Sequence, residues 1–322
     1  GWTLAALALA AVLVLLALFW RRGRWYVLAS VPLLLLAAPW PEARVLLVPA
    51  TPASFHRSPT GFSARAIVQG QALYAQHCLA CHGADGRGQG PLAAAQPVWP
   101  PNFAGPLLWR RADGDLWWHV LHGVRGRQGE ATMAGFGDRL SGAEAWALID
   151  FMKAQGAGQA LRVAGFWPQP VGLPDVAVRC AGQGERPLRS WNGQRLRVVA
   201  EGRASATVLE DPRFVTVLLR QAAAPGPASV DCVASDAAAW QAFALITGSD
   251  ALAGTQLLAD RHGWARARAV PGQAGWSEDD LLCRTEAQPR APAGRAAADG
   301  LSALIAAMDA EPVRYVKGGF VH

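Results

Sequence analysis

Two cysteines three residues apart, followed directly by a histidine, stand at positions 78–82: Cys78-Leu-Ala-Cys81-His82. On one helical turn, thiols at that spacing can each add to a vinyl group of the same porphyrin. The next residue then sets its imidazole against the iron from the same face. C-x-x-C-H is accordingly the pattern of covalent haem attachment. A structural zinc site would need two further ligands at matching spacing, and none follows. A dithiol redox pair would place the motif where a strand runs into a helix, whereas here it closes a helical pattern. The expectation is one covalent haem c, with Cys78 and Cys81 as thioether positions and His82 on the iron.

The elements that must position this motif read as helices. ARAIVQGQALYAQHC, which leads into it, carries apolar residues at helical spacing. DGDLWWHVLHGV reads as a second, short helix. SGAEAWALIDFMKAQ reads as a third, opened by a Ser141–Glu144 capping box. Gly- and Pro-rich loops lie between them. This all-helical region is placed at residues 64–157.

Within it, residues 66–155 resemble a class I cytochrome c domain. GQALYAQHCLACHGADGRGQGP resembles the first helix, haem loop and Gly-rich turn of that family, and TMAGFGDRLSGAEAWALIDFMKAQ its sixth-ligand loop and last helix. The resemblance implies Cys78 and Cys81 as thioether positions and His82 as the proximal ligand. It further implies Met133 as the distal ligand, and Pro91 as the proline whose carbonyl orients the proximal imidazole. One departure is that Ala134 follows Met133 where the family often has proline. Met152 lies in phase with Leu148 and Ile149 and reads as core. His119 and His122 remain rivals of Met133 for the distal position. His/Met ligation would raise the potential and fill both axial sites, which favours outer-sphere electron transfer over catalysis. A partner would then dock weakly near the haem edge, where Leu92, Trp99 and the Pro100–Pro101 pair are candidates for an apolar patch.

Upstream, residues 2–20 hold no charge, Gly or Pro and reach ~28 Å as a helix, close to the hydrocarbon thickness of a bilayer. A second apolar segment, Trp25 to Trp40 with Pro32 inside, follows the basic RRGR turn. Residues 1–40 are read as a transmembrane helical hairpin. The basic turn faces the cytoplasm by the positive-inside rule, so everything after residue 40 lies across the bilayer. The resemblance implies the same side, because covalent haem attachment in bacteria is periplasmic. The chain opens Gly-Trp-Thr without an initiator Met, so sequence is expected upstream. Residues 41–63, rich in Pro, Ser and Thr, read as a periplasmic tether.

After Gly158 the texture changes to short β-like runs (VAVRC, RLRVVAEG, FVTVLL, SVDCVA, TQLLAD) interleaved with DAAAWQAFALIT and SEDDLLCRTEA, both read as helical. Residues 158–286 are read as an α/β domain, and 287–322 as a last helix with a tail. Residues 170–285 faintly resemble a thioredoxin-like fold of the peroxiredoxin or Sco type, including a terminal hairpin TQLLADRHGWARARAV. Where that family's cysteine motif should follow the RLRVV strand, the chain reads AEGRASA. Thiol exchange or copper relay by that site is not expected, and docking or assembly is the expected role. Of Cys180, Cys232 and Cys283, two are expected to pair in an oxidising compartment, in a combination left open.

Charge excludes one function class. Of the formal +6, residues 1–61 contribute five Arg against one Glu, while 62–157 hold eight basic against seven acidic residues and 158–322 seventeen against sixteen. No basic groove for a phosphate backbone is available, so nucleic acid is not a partner. The overall expectation is a mono-haem electron carrier on the bacterial inner membrane, serving a redox partner protein or a membrane redox complex. Two alternatives stand beside it: a haem enzyme such as a peroxidase, and the tail of a copper-handling membrane protein.

Overall fold

The computed structural model describes residues 2–20, 22–40, 52–126, 128–202, 208–221, 230–273, 275–283, 299–316 and 319–321. These form two compact units, residues 1–52 and 53–322.

In the first unit α1 (Trp2–Phe19) and α2 (Arg24–Ala37) form a hairpin, with Thr3 Oγ1 donating to Pro39 O at 3.1 Å. Both helices are apolar and their large side chains are mostly exposed. α1, with 18 residues and a mean hydropathy of 2.6, is long and apolar enough to cross a membrane. α2 has 14 residues with Pro32 inside it, and spans only ~21 Å. It falls short of the length that the sequence suggested for the second segment. The RRGR turn between them is described only in part, and the tether at 41–51 lies outside the described residues.

The second unit begins on a single-turn 3₁₀ helix, Ala53–Phe55. The helical region is built from α3 (Ala64–His77), α4 (Leu79–His82), α5 (Leu107–Arg110), α6 (Asp113–His122) and α7 (Gly142–Ala164), with a small antiparallel ribbon of β1 (Val124–Arg125) and β2 (Ala131–Met133). Two caps fix where the long helices start. Ser63 Oγ accepts from Ala66 N at the head of α3, and Ser141 with Glu144 closes the expected capping box on α7. α3 and α7 pack face to face. Their crossing is centred on Gly70, where a Cβ would lie 2.0 Å from Ala147 O. Around it the core collects Tyr74, Cys78, Phe103, Leu116, Leu148, Ile149, Phe151 and Met152.

The α/β region holds a seven-stranded mixed sheet ordered β4-β3-β7-β6-β5-β8-β9, from β3 (Ala177–Cys180), β4 (Arg186–Pro187), β5 (Leu196–Ala200), β6 (Val215–Leu219), β7 (Cys232–Ala234), β8 (Gln256–Ala259) and β9 (Ala265–Ala269). The three central strands, β5, β6 and β7, run parallel, and both flanks are antiparallel. Each β-like run read from the sequence contains one of these strands. Burial on both faces explains the near-continuous apolar runs at β5 and β6. α8 (Ala237–Thr247) forms where DAAAWQAFALIT reads as helical and shares the sheet's core. SEDDLLCRTEA, read as helical, forms only a short 3₁₀ turn, Glu278–Asp280, before Leu281 bridges back to Ala267. Its last residues, 284–287, lie outside the described set.

The structure differs from the sequence reading at two boundaries. α7 does not stop near residue 157 but runs on to Ala164, through Gly156 and Gly158. These glycines permit close approach and do not break the helix. A Cβ on Gly156 would lie 2.5 Å from Phe103 O, and one on Gly158 would lie 1.9 Å from Leu245 O in α8. One apolar core therefore holds Ile67 of α3 and Ala154, Ala157 and Leu161 of α7 together with the sheet residues Val198 and Val217. The second boundary concerns α9 (Gly300–Ala310), assigned to the separate segment 287–322. Leu304, Ile305 and Met308 pack on Leu258 and Ala267 of the sheet. The buried Arg266 guanidinium also reaches Met308 O (3.3 Å) and Glu311 O (2.7 Å). α9 belongs to the α/β region. Beyond it, β10 (Arg314–Val316) and β11 (Gly319–Val321) form a further antiparallel pair.

Cys180 and Cys232 face each other across β3 and β7 and form a disulfide that closes 52 residues. Cys283 is buried, and burial pushes its thiol up to about 12. A loop of that length constrains the unfolded chain, so replacing both paired cysteines by alanine is expected to cost about 4 kcal/mol. Urea unfolding of the oxidised protein and the double variant measures it.

Candidate functional site

The motif sits where α3 ends. Cys78 is the residue that closes α3, its N–H bonded to Tyr74 O at 2.9 Å, and α4 then turns Leu79 to His82. His82 N and Cys81 N both donate to Cys78 O, at 2.9 and 3.2 Å, so the two cysteines and the histidine occupy one tight turn. Gly83 ends the turn with φ +77°, a conformation open to glycine at little steric cost. Tyr74 Oη donates to Gly83 O at 2.7 Å from inside the core.

The chain after the turn folds back over it. Gly88 N donates to His82 O (2.8 Å), Gly90 N to Cys81 O (3.1 Å) and Leu92 N to Ala80 O (2.8 Å). The approach is close enough that a Cβ on Gly90 would lie 2.4 Å from Ala80 O. Gly88 in turn lies against the Pro100 carbonyl, which brings residues 100–103 beside the imidazole. Phe103 stacks on the His82 ring, centroids 4.6 Å apart and planes at 23°.

The backbone carbonyl bearing on the His82 ring is that of Pro101, whereas Pro91 is exposed just after the turn. The path of the intervening loop decides which proline arrives, and that path depends on the Gly88–Pro100 contact. Burial lowers the His82 pKa, and the Pro101 carbonyl pulls the other way. Nδ1 is sealed from solvent and makes no hydrogen bond of full geometry.

The cysteines are not joined by a disulfide. Cys78 is buried, and burial first, then the neighbouring Cys81, pushes its thiol up to about 12. A thiol held that strongly protonated is poorly suited to exchange chemistry, which runs through the thiolate. Among the described residues no cluster of three or more His, Cys, Asp or Glu could hold a metal ion by itself. Two unbridged thiols, an imidazole with one sealed nitrogen and a glycine-lined loop folded onto them fit a haem c.

Met133 ends β2 opposite Val124. Residues 133–137 lie tightly on the C-terminal end of α6. A Cβ on Gly123 would be 2.6 Å from Met133 O, while Phe136 N donates to Val120 O at 3.0 Å. Phe136 packs on the core that contains Cys78, and its ring lies 5.9 Å from that of His77. The Met133 loop and the motif turn thus border the same core. Met152 is buried beside Leu148 and Ile149. His119 is half-buried on α6, its pKa lowered by burial and then by Arg111, with Asp115 opposing. His122 is exposed against the Trp118 ring at 3.7 Å. Of the expected docking patch, Leu92 and Trp99 are exposed, whereas Pro100 is buried.

The family model for cytochrome c oxidase, cbb3-type, subunit III, matches residues 65–152. The match supports a c-type cytochrome. It runs from the first turn of α3 to Met152 in α7, so it contains the whole haem-motif turn, the folded-back loop and the Met133 ribbon. Haem c, covalently bound, is the cofactor that this family implies for the cytochrome domain. No curated protein matches the chain. Among solved structures, a chain of a reducing HAO-like protein complex from Kuenenia stuttgartiensis is 26% identical over 33% of this chain and 50% of its own, with a TM-score of 0.26. The chain thus spans half the length of that relative, and a fit that loose bears on neither fold nor function.

Proposed function

We propose that this chain is a membrane-anchored, mono-haem electron carrier. Cys78 and Cys81 would hold the haem through thioethers, His82 would be its proximal ligand through Nε2, and Met133 its distal ligand. The observation that carries the reading is the single closed turn 78–82, with Cys78, Cys81 and His82 together and Nδ1 of the imidazole turned away from solvent. The haem supplies one-electron exchange between ferric and ferrous iron. The chain's own residues fix and insulate it. Phe103 and the Pro101 carbonyl hold the orientation of the imidazole ring, and Tyr74 clamps the end of the turn. With His82 and Met133 both engaged, the haem would be left to outer-sphere transfer to a redox partner protein or membrane complex, through brief contacts.

The apolar α1 and the basic turn after it support anchoring in a bacterial inner membrane, with α2 as a shorter second span and residues 53–322 on the periplasmic side. For the α/β region, the parallel centre of the sheet and its terminal β8–β9 hairpin support a thioredoxin-like reading. In that hairpin Asp260 Oδ1 accepts from His262 N (2.9 Å) and Trp264 N (3.1 Å). The stretch where the family's cysteines would stand lies partly outside the described residues. Its sequence has none, so the region serves in docking or assembly.

The distal assignment has its own test. Oxidised protein is expected to show the weak red-region sulfur-to-iron band, and Met133→His to lose it. That variant is also expected to lower the potential on the order of 0.2 V, within the range of about 0.8 V that axial ligands span. Retention of the band in the variant would move the ligand elsewhere.

A further inference from the structure

We propose that the cleft between the cytochrome domain and the sheet binds an uncharged aromatic molecule bearing a hydroxyl or carbonyl group, with Asp150 as its hydrogen-bonding anchor. The cleft measures about 810 Å³, within the range of small-molecule sites. It is walled by Phe62, Trp109, Leu173, Leu188 and Trp264. Those walls come from both regions of the chain, which share one core, so the space is preformed.

The charges at the cleft select the class of ligand. Asp113 is paired with Lys153, and Asp175 with Arg189 at 3.4 Å. Lys153 also already occupies the face of Trp109, at 5.6 Å from the ring centroid. These pairs cancel, and Arg57, His56 and His262 are exposed at the rim. An anion would have to meet the buried Asp150 carboxyl, and a cation would compete with Lys153 for the aromatic face. An uncharged ring meets neither obstacle and buries its faces against indole.

Asp150 supplies the fixed polar point. It is only 4% exposed, on α7. Its Oδ2 accepts from Thr60 Oγ1, and no hydrogen bond to Oδ1 is formed among the described residues. Burial raises this carboxyl to about 7, with Thr60 and Lys153 opposing and Asp113 reinforcing. Near neutral pH it can therefore accept from a hydroxyl or donate to a carbonyl.

Calorimetric titration of the haem-loaded protein with 1-naphthol, 1-naphthoate and 1-naphthylmethylammonium tests this. One saturable site for 1-naphthol, at least tenfold tighter than for either charged analogue, is expected, with the Soret band unmoved. Asp150→Ala and Trp264→Leu should each weaken it at least fivefold, and if Asp150→Ala fails to fold by circular dichroism, Trp264→Leu decides alone. No saturable binding, a charged analogue bound as tightly, a shifted Soret band, or undiminished binding in the folded variants would each overturn the proposal.

Discussion

Replacing Cys78 and Cys81 together by alanine will free the pigment completely: acid–acetone will extract all of it from the variant and none from the parent. The reason is geometric. Both thiols leave the same turn as His82, and no other described cysteine can substitute, since Cys180 and Cys232 are spent on their own disulfide and Cys283 is buried near Arg266 and Asp260 in the α/β region. Each single variant should keep the pigment covalently through the remaining sulfur. Extraction of all pigment from the parent protein would end the proposed haem attachment outright. His82→Ala separates ligation from attachment. Its pigment should stay bound, while the ferrous protein gains fast carbon monoxide binding at the vacated axial position.

Gly70→Val is expected to destabilise the cytochrome domain by about 3 kcal/mol, at the upper end of what overpacking usually costs. The obstruction is backbone, which cannot step aside as a side chain would. A Cβ at Gly70 would lie 2.0 Å from Ala147 O, 2.6 Å from Ala147 C and 2.8 Å from Phe151 Cβ. To admit it, α3 and α7 must separate along their whole crossing, which opens the core beside Tyr74 and Leu148. The end of α3 carries Cys78, so the motif turn shifts with it. Denaturant unfolding followed at the haem band gives the stability, and a loss under 1 kcal/mol would mean that the helices do not cross as described. Gly158→Val is the companion case on the other side of α7, where the close partner is Leu245 O at 1.9 Å. It should loosen the α/β region from the cytochrome domain while leaving the haem spectrum unchanged.

What the sequence determined by itself is what neighbouring residues decide among themselves. Cys78, Cys81 and His82 lie within five residues, so one helical turn fixes their relation whatever the rest of the chain does. The same holds for the Ser141–Glu144 capping box and the Asp260-to-Gly263 turn, whose hydrogen bonds close over two to four residues. Strand and helix periodicities were legible for a similar reason, because burial on one face imprints a local pattern.

The tertiary structure decided everything that depends on which distant segments meet. The Pro101 carbonyl bears on His82 from nineteen residues away, next to where Gly88 approaches the Pro100 carbonyl. Gly158, where the sequence changes texture, lies inside α7 together with Gly156, because a bare backbone is needed where Leu245 and Phe103 press on it. The choice of Cys180 with Cys232 follows from β3 pairing with β7 across 52 residues, a register that no local signal carries. Asp150 gave no sign in the sequence either. A carboxylate on a helix is ordinarily a solvated one, and only distant packing, with Thr60 of the 58–62 segment bonded to it, buries this one. Contacts of this kind are selected by the total packing of the folded chain.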